Sequence, residues 1–194
     1  MSHAAIRIIR EEHAALSAML TSLVLLIEQE QRRHQLPDFG ALRAMLFYLD
    51  EFPEKRHHRK ESELLFPMLR ARSALAHELL DRLDDEHARG ERNIRELEHA
   101  LLSFEMLGET RRAAFEEAAQ RFADFYLAHM AAEEDVVLPL AQQVLTPSDW
   151  AELDAAFSAN RDPLTGCPPE ADYEALFTRI VNLVPAPIGL GRPA

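Results

Sequence analysis

The sequence predicts an all-α protein: an antiparallel up-and-down four-helix bundle followed by a C-terminal extension of helix and loop. Three observations carry this. Apolar residues recur at steps of three and four over long stretches, no segment sustains alternation of period two, and the long stretches are joined by short connections rich in Pro, Gly, Asp and Ser. The bundle is expected over residues 1–146 and the extension over 147–194.

The first helix is marked by Ile6, Ile9, His13, Leu16, Leu20, Leu23 and Ile27, a single stripe once His13 is counted in it. Pro37-Asp38 breaks the chain and Asp38 is placed to cap a second helix, whose stripe runs Leu42, Leu46, Leu49, His57, Leu64 and Met68. Pro53 lies one turn before His57, where it removes a hydrogen bond and should bend the helix; the kink either sets the angle of His57 or is simply tolerated. Ser73 is placed to cap a third helix along Leu80, Leu83, His87, Ile94, Leu97, Leu101 and Phe104, which Gly108 ends. The fourth carries Phe115, Phe122, Phe125, His129, Val136 and Leu140, and Pro147 closes the region. Beyond it, Trp150, Leu153 and Phe157 suggest a short helix, residues 162–169 a Pro-Gly-rich loop and residues 173–184 another helix, before an extended Pro-rich tail. These apolar faces must bury across one end of the bundle or against a second copy of the chain, a homodimer.

The chain has 194 residues, 33 acidic against 21 basic, for a formal charge of −12. Such a surface repels phosphate backbones and anionic lipid, so neither nucleic acid nor membrane is an expected partner. The apolar run from Leu23 to Ile27 is too short to cross a bilayer, and the charged start around Arg7, Arg10, Glu11 and Glu12 is unlike a signal peptide. A cytoplasmic location is the expectation. The single cysteine, Cys167, has no partner for an intrachain disulfide and reads as an ordinary loop thiol.

The most informative pattern is a repeat. His57-x3-Glu61 precedes Pro67, and His129-x3-Glu133 precedes Pro139, with the same His-to-Pro spacing of 10 residues. Glu12-His13-Ala14 stands 44 residues before His57, and Glu86-His87-Ala88 stands 42 residues before His129. A His and a Glu four apart share one helix face and make a natural metal chelate. With two similar hairpins, all four histidines fall at one level, on the inward stripes. Carboxylates there cost several kcal/mol each as unpaired ions. A dinuclear cation site removes that cost, with two divalent ions balancing the carboxylates and neutral imidazoles as further donors.

Four inward histidines and two His-x3-Glu pairs on a duplicated hairpin closely resemble the hemerythrin-like (HHE cation-binding) family, over roughly residues 4–145. The resemblance implies two non-haem, carboxylate-bridged iron ions, with other divalent metals also compatible. It implies His13, His57, His87 and His129 as terminal ligands and Glu61 and Glu133 as bridges. The likeness is to the family's bacterial members rather than to the oxygen carriers of marine worms. The carriers have His-x3-His on the third helix where this chain has His87-x3-Glu91, and an Asp five residues after the last His where this chain has Glu133 four after His129. A site richer in carboxylate favours the oxidised, harder metal, which argues against reversible oxygen carriage. Glu91 is placed either to supply a seventh ligand or to remain an outer or surface carboxylate.

Other residues take plainer readings. By its spacing to Pro67 the ligand is His57, which leaves His58 as a surface neighbour. His3, His34, His77 and His99 are solvated or capping, and Glu63 and Glu134 face solvent or hydrogen-bond a ligand. Met19, Met45, Met68, Met106 and Met130 are packing residues. At most one of Tyr48 and Tyr126 approaches the site. The function expected is a diiron protein that binds or senses a small oxidant or diatomic: dioxygen, nitric oxide or peroxide. The alternatives are a diiron enzyme, oxidase or peroxidase-like, handling nitric oxide or repairing iron-sulfur centres, and a metal-stabilised interaction module.

Overall fold

A computed structural model describes residues 3–159, 162–167, 171–184 and 188, with the side chains of Glu91 and Asp172 outside the description. Among the described residues the chain is helical throughout and holds no strand. Helix α1 is Ala4–Arg32, α2 spans residues 39–72, α3 is His77–Leu107, α4 spans residues 112–144, α5 is Pro147–Ser158 and α6 is Glu174–Leu183. None is long and apolar enough to cross a membrane. The expected tail beyond Val184 lies outside the described residues apart from Ile188, as does part of the expected 162–169 loop.

Local chemistry explains most boundaries. Asp38 Oδ1 accepts from the Ala41 N–H at 2.9 Å and starts α2, as its position predicts. Gly108 ends α3 with φ +74°, a conformation open mainly to glycine. Thr146 and Asp149 form a reciprocal capping box with Pro147 in the first turn of α5. Ser73 does not cap α3. Its hydroxyl accepts from Leu75 N–H in the preceding turn, and α3 begins at His77 without a side-chain cap.

Helices α2 and α4 are not uniform. Each widens into a π-helical turn, Asp50–His57 and Glu61–Leu65 in α2 and Glu133–Val137 in α4. Pro53 sits inside the first, and Pro67 and Pro139 follow the other two by two residues. Proline lacks the N–H its fourth predecessor's carbonyl requires and crowds that carbonyl; widening the preceding turn relieves both. The helix therefore continues through Pro53 rather than breaking. The two widened turns ahead of Pro67 and Pro139 also slip the inward stripe by one residue. Val136, expected inward, is 45 % exposed while Val137 is buried; in α2, Leu65, Phe66 and Leu69 are buried where Leu64 and Met68 are only partly so.

The helices contact one another in the pairs α1–α2, α2–α3, α3–α4 and α1–α4, with α5 against α1 and α6 against α2. Buried apolar residues fall into two clusters. One gathers Leu16, Leu20, Leu49, Phe52, Ile94, Phe104, Phe115 and Tyr126; the other gathers Ile6, Ile9, Leu65, Phe66, Leu83, Val137, Trp150, Leu153 and Phe157. Along every one of α1 to α4 the passage between clusters is a polar stretch, at His13, His57–Glu61, His87 and His129–Glu133. Met106, expected to pack, is 72 % exposed at the end of α3.

Candidate metal centre

The polar layer brings together all six side chains that the repeat singles out. His13 Nε2 lies 3.1 Å from His57 Nε2, and His87 Nε2 lies 2.9 Å from His129 Nε2. Between these pairs stand Glu61 and Glu133, 0 % and 1 % exposed. Glu61 turns Oε1 to His57 at 3.2 Å and Oε2 to His87 at 3.6 Å. Glu133 turns Oε2 to His13 at 3.3 Å and Oε1 to His129 at 3.3 Å. Each carboxylate thus spans the two imidazole pairs. The four oxygens of the two carboxylates are buried and, among the described residues, without a hydrogen-bond partner. Two groups of donor atoms lie close enough to hold a cation: His13, His57, Glu61 and Glu133, and His58, Glu61, His87 and His129. The Glu91 side chain, expected as a possible further ligand, lies outside the described residues.

The outward nitrogen of each imidazole is anchored. Glu12 Oε2 holds His57 Nδ1 at 2.7 Å and Glu86 Oε2 holds His129 Nδ1 at 2.8 Å. Glu134 Oε1 holds His13 Nδ1 at 3.0 Å, and Ser62 Oγ, itself donating to Asp84 at 2.6 Å, lies 2.8 Å from His87 Nδ1. Such partners fix the tautomer, leave Nε2 as the free donor and raise its basicity. They follow the repeat: the Glu before the His of α1 or α3 orients the His of α2 or α4, and the residue after Glu61 or Glu133 orients the His of α3 or α1. The conserved spacing of the two Glu-His-Ala triplets within this chain carried that signal, although it singled out only the histidines.

Burial opposes ionisation of both central carboxylates. At Glu133 the imidazoles of His129 and His13 outweigh it and hold the group well below the ordinary carboxylate range; Glu61 remains raised by burial and by the Glu133 charge. Burial likewise opposes protonation of His57 and His129, yet Glu61 and Glu12 lift the first well above its ordinary value, and Glu133 and Glu86 lift the second to about 9. The layer without a cation is therefore charge-strained, its carboxylates neutralised only by borrowed protons.

His58 is a correction. Expected at the surface, it is 3 % exposed. Its ring stacks on His87 at 4.4 Å and on Tyr126 at 5.7 Å, with Nδ1 3.6 Å from Glu54 Oε2 and without a hydrogen-bond partner. The signal available in the sequence was its counterpart in the second half, Met130, a core residue type at an inward position. Tyr126 is the tyrosine that reaches the layer, donating to the buried Glu54; Tyr48 donates instead to Asp162, at 2.8 Å. Burial pushes the Glu54 carboxyl up to about 7. Gly90 on α3 makes this pair possible, because a methyl there would overlap the Glu54 carboxylate and come within 2.8 Å of the Tyr126 hydroxyl. Gly90→Ala is expected to lose up to about 2 kcal/mol in denaturant unfolding, overpacking of about 1–3 kcal/mol set against a helix-propensity gain of about 1 kcal/mol. A net gain in stability would contradict this geometry.

A narrow cavity between α1 and α2, lined by His13, Leu16, Phe52, Pro53 and His57, with Glu12, Arg56 and Asp162 also contributing, reaches the His13–His57 side of the layer. The family model for the hemerythrin HHE cation binding domain matches residues 4–141. No curated protein and no solved structure matches the chain.

Proposed function

The chain belongs to the hemerythrin HHE cation-binding family, and from that premise we propose that it is a non-haem diiron protein that binds or senses a small oxidant or diatomic such as dioxygen, nitric oxide or peroxide. In this reading α1 to α4 form an antiparallel up-and-down bundle, residues 147–194 are an extension of it, and the polar layer is a dinuclear site. His13, His57, His87 and His129 are its terminal ligands, and Glu61 and Glu133 its bridges. The observation that carries the reading is the set of four buried carboxylate oxygens without hydrogen bonds, each facing an imidazole nitrogen. An unpaired buried carboxylate is expensive, and a pair of divalent cations is the partner that satisfies both at once.

Two iron ions held by these residues would supply up to two electrons to one small ligand. The residues of this chain do the rest. Glu12, Glu86, Glu134 and Ser62 hold the imidazoles in register, the apolar clusters on either side exclude water, and the narrow cavity by His13 and His57 favours a diatomic over a bulky substrate. Anaerobically iron-loaded protein is expected to hold two irons per chain and to change its near-ultraviolet and visible absorption on exposure to oxygen, nitric oxide or peroxide. Fewer than one iron per chain, or no response to any of the three, contradicts the proposal. Product formed in excess over protein would make it an enzyme rather than a sensor.

A pH dependence follows. His129, at about 9, holds a proton at neutral pH in the metal-free protein, His57 is shifted in the same direction, and a cation must displace the protons these imidazoles carry. Cation uptake near neutral pH is expected to release at least one proton per chain into a weakly buffered indicator solution. Apparent affinity should rise with pH, about tenfold per unit for each proton displaced, from neutral pH up to the His129 value. An affinity flat across that range contradicts the assignment of these imidazoles.

A further inference from the structure

The cavity on the His13–His57 side of the polar layer lies between α1 and α2, and part of its wall comes from outside the family match. Asp162 stands beyond residue 141, where the match ends, and lines the cavity at 6 % exposure. Three hydrogen bonds fix it. Tyr48 of α2, itself fully buried, donates its hydroxyl to Asp162 Oδ2 at 2.8 Å. The Leu164 N–H donates to Oδ1 at 2.9 Å, and the Thr165 hydroxyl donates to the Asp162 carbonyl at 2.8 Å. The turn Pro163–Thr165 packs on α1, and Leu164 joins the apolar cluster of Leu16, another residue of the cavity wall. Residues 162–165 therefore rest on α1 and are bonded to α2, the two helices that flank the cavity. The Tyr48 ring is held in turn by Phe52, also of the wall, and by Phe177 of α6, at 5.3 and 5.9 Å between centroids. The His-x3-Glu repeat requires none of this. A buried carboxylate costs free energy that an apolar side chain would avoid, and what it gains here is one directional bond to the opposite helix.

We propose that Asp162 and Tyr48 latch a side entrance to the layer: residues 162–165 hold the cavity closed while their bond is made, and small ligands reach the His13–His57 side when it breaks. The inference rests on the diiron reading above, to which it adds control of access by a segment outside the matched domain. A hydrogen bond to a carboxylate is stronger than a neutral one, and losing it raises the open population about tenfold to a hundredfold. Such a latch has a distinct signature. It sets how fast a ligand enters and leaves by the same factor, and so leaves the equilibrium affinity unchanged, because the site itself is alike in the open and closed forms. A residue that shaped the site would change the affinity.

The test uses the full chain and two variants, Tyr48→Phe, which removes only the donor hydroxyl, and Asp162→Ala, which removes the acceptor; near-ultraviolet circular dichroism checks that each packs natively. Amide hydrogen exchange of Leu164, Thr165 and Gly166, measured without iron, reads the latch itself, and stopped-flow mixing of nitric oxide with the iron-loaded proteins reads passage. Both variants are expected to lose at least about tenfold of the exchange protection and to associate with nitric oxide faster by a similar factor. In Tyr48→Phe, dissociation is expected to quicken equally, with Kd as in the parent. Protection that falls while the association rate stays at the parental value overturns the inference and leaves the diiron reading intact, as does protection that does not change. A Tyr48→Phe variant with altered Kd overturns it too, since the tyrosine would then shape the site. Failure of both variants to fold also overturns it, because the bond would be a requirement of the fold rather than a latch. An iron-loaded parent that does not respond to nitric oxide removes the ligand-binding reading and this inference together.

Discussion

Replacing Glu61 and Glu133 together by leucine is expected to abolish cation binding without destabilising the metal-free protein, because the imidazoles left behind can release their protons rather than stay as unpaired buried charges. The two effects have one cause. Both side chains lie in the layer between the apolar clusters, at 0 % and 1 % exposure, with no hydrogen bond to any of their oxygens. Burial and the Glu133 charge disfavour ionised Glu61, and Glu133 stays ionised against its burial only through imidazoles that take up protons. Leucine is of similar size and carries no charge to desolvate. A protein selected only for stability would not retain these carboxylates, whereas one built to hold cations must. The checks are ion content by elemental analysis and denaturant melts of both metal-free proteins. A variant that still holds two ions, or a metal-free variant clearly less stable than its parent, contradicts the account.

A chain ending at Thr146 is expected not to fold cooperatively, even though it contains the whole of the family match at residues 4–141. Trp150, Leu153 and Phe157 on α5 are buried in the same cluster as Ile6, Ile9, Leu65 and Val137. At about 1.5–3 kcal/mol for each fully buried side chain, their removal costs about 5–9 kcal/mol, comparable to the whole stability of an ordinary domain, about 5–15 kcal/mol. The cut also removes the stack of Trp150 on His3, the bond from Ala5 N–H to Asp154 and the edge of Phe157 against the His57 ring, 6.1 Å between centroids. α5 is thus part of the wall behind His57. Near-ultraviolet circular dichroism and a thermal melt decide the matter: loss of fixed aromatic signals is expected, and a cooperative melt within a few degrees of the full chain contradicts the prediction.

How far the sequence led depended on which physical rule governed each residue. The all-helical character followed from the spacing of apolar residues, and the side chains now seen facing one another followed from a repeat that chance rarely produces. Three of the misplacements share a cause. Val136, Leu64 and Met68 were assigned inward by carrying a period of 3.6 through stretches that the structure winds as π-turns ahead of Pro139 and Pro67. Pro67 and Pro139 were visible, but they served only to align the two halves and not to mark a one-residue slip in phase. His58 was sent to the surface because its neighbour already met the motif, and only the burial of Met130 at the matching position argues otherwise. Ser73 fits the composition of a helix cap, yet the helix starts four residues later, with the serine closing its own turn. Glu12, Glu86 and Glu134 were conspicuous, but the contacts that give them a role run between helices, which spacing along one helix cannot reveal.

The central claim is that Glu61 and Glu133 are shared between two cations. Crystals of iron-loaded protein, measured at the iron absorption edge, test it most directly. Two anomalous peaks are predicted between the two carboxylates, one beside His13 and His57 and the other beside His87 and His129. A single peak, or peaks lying elsewhere while this layer stays empty, would contradict it.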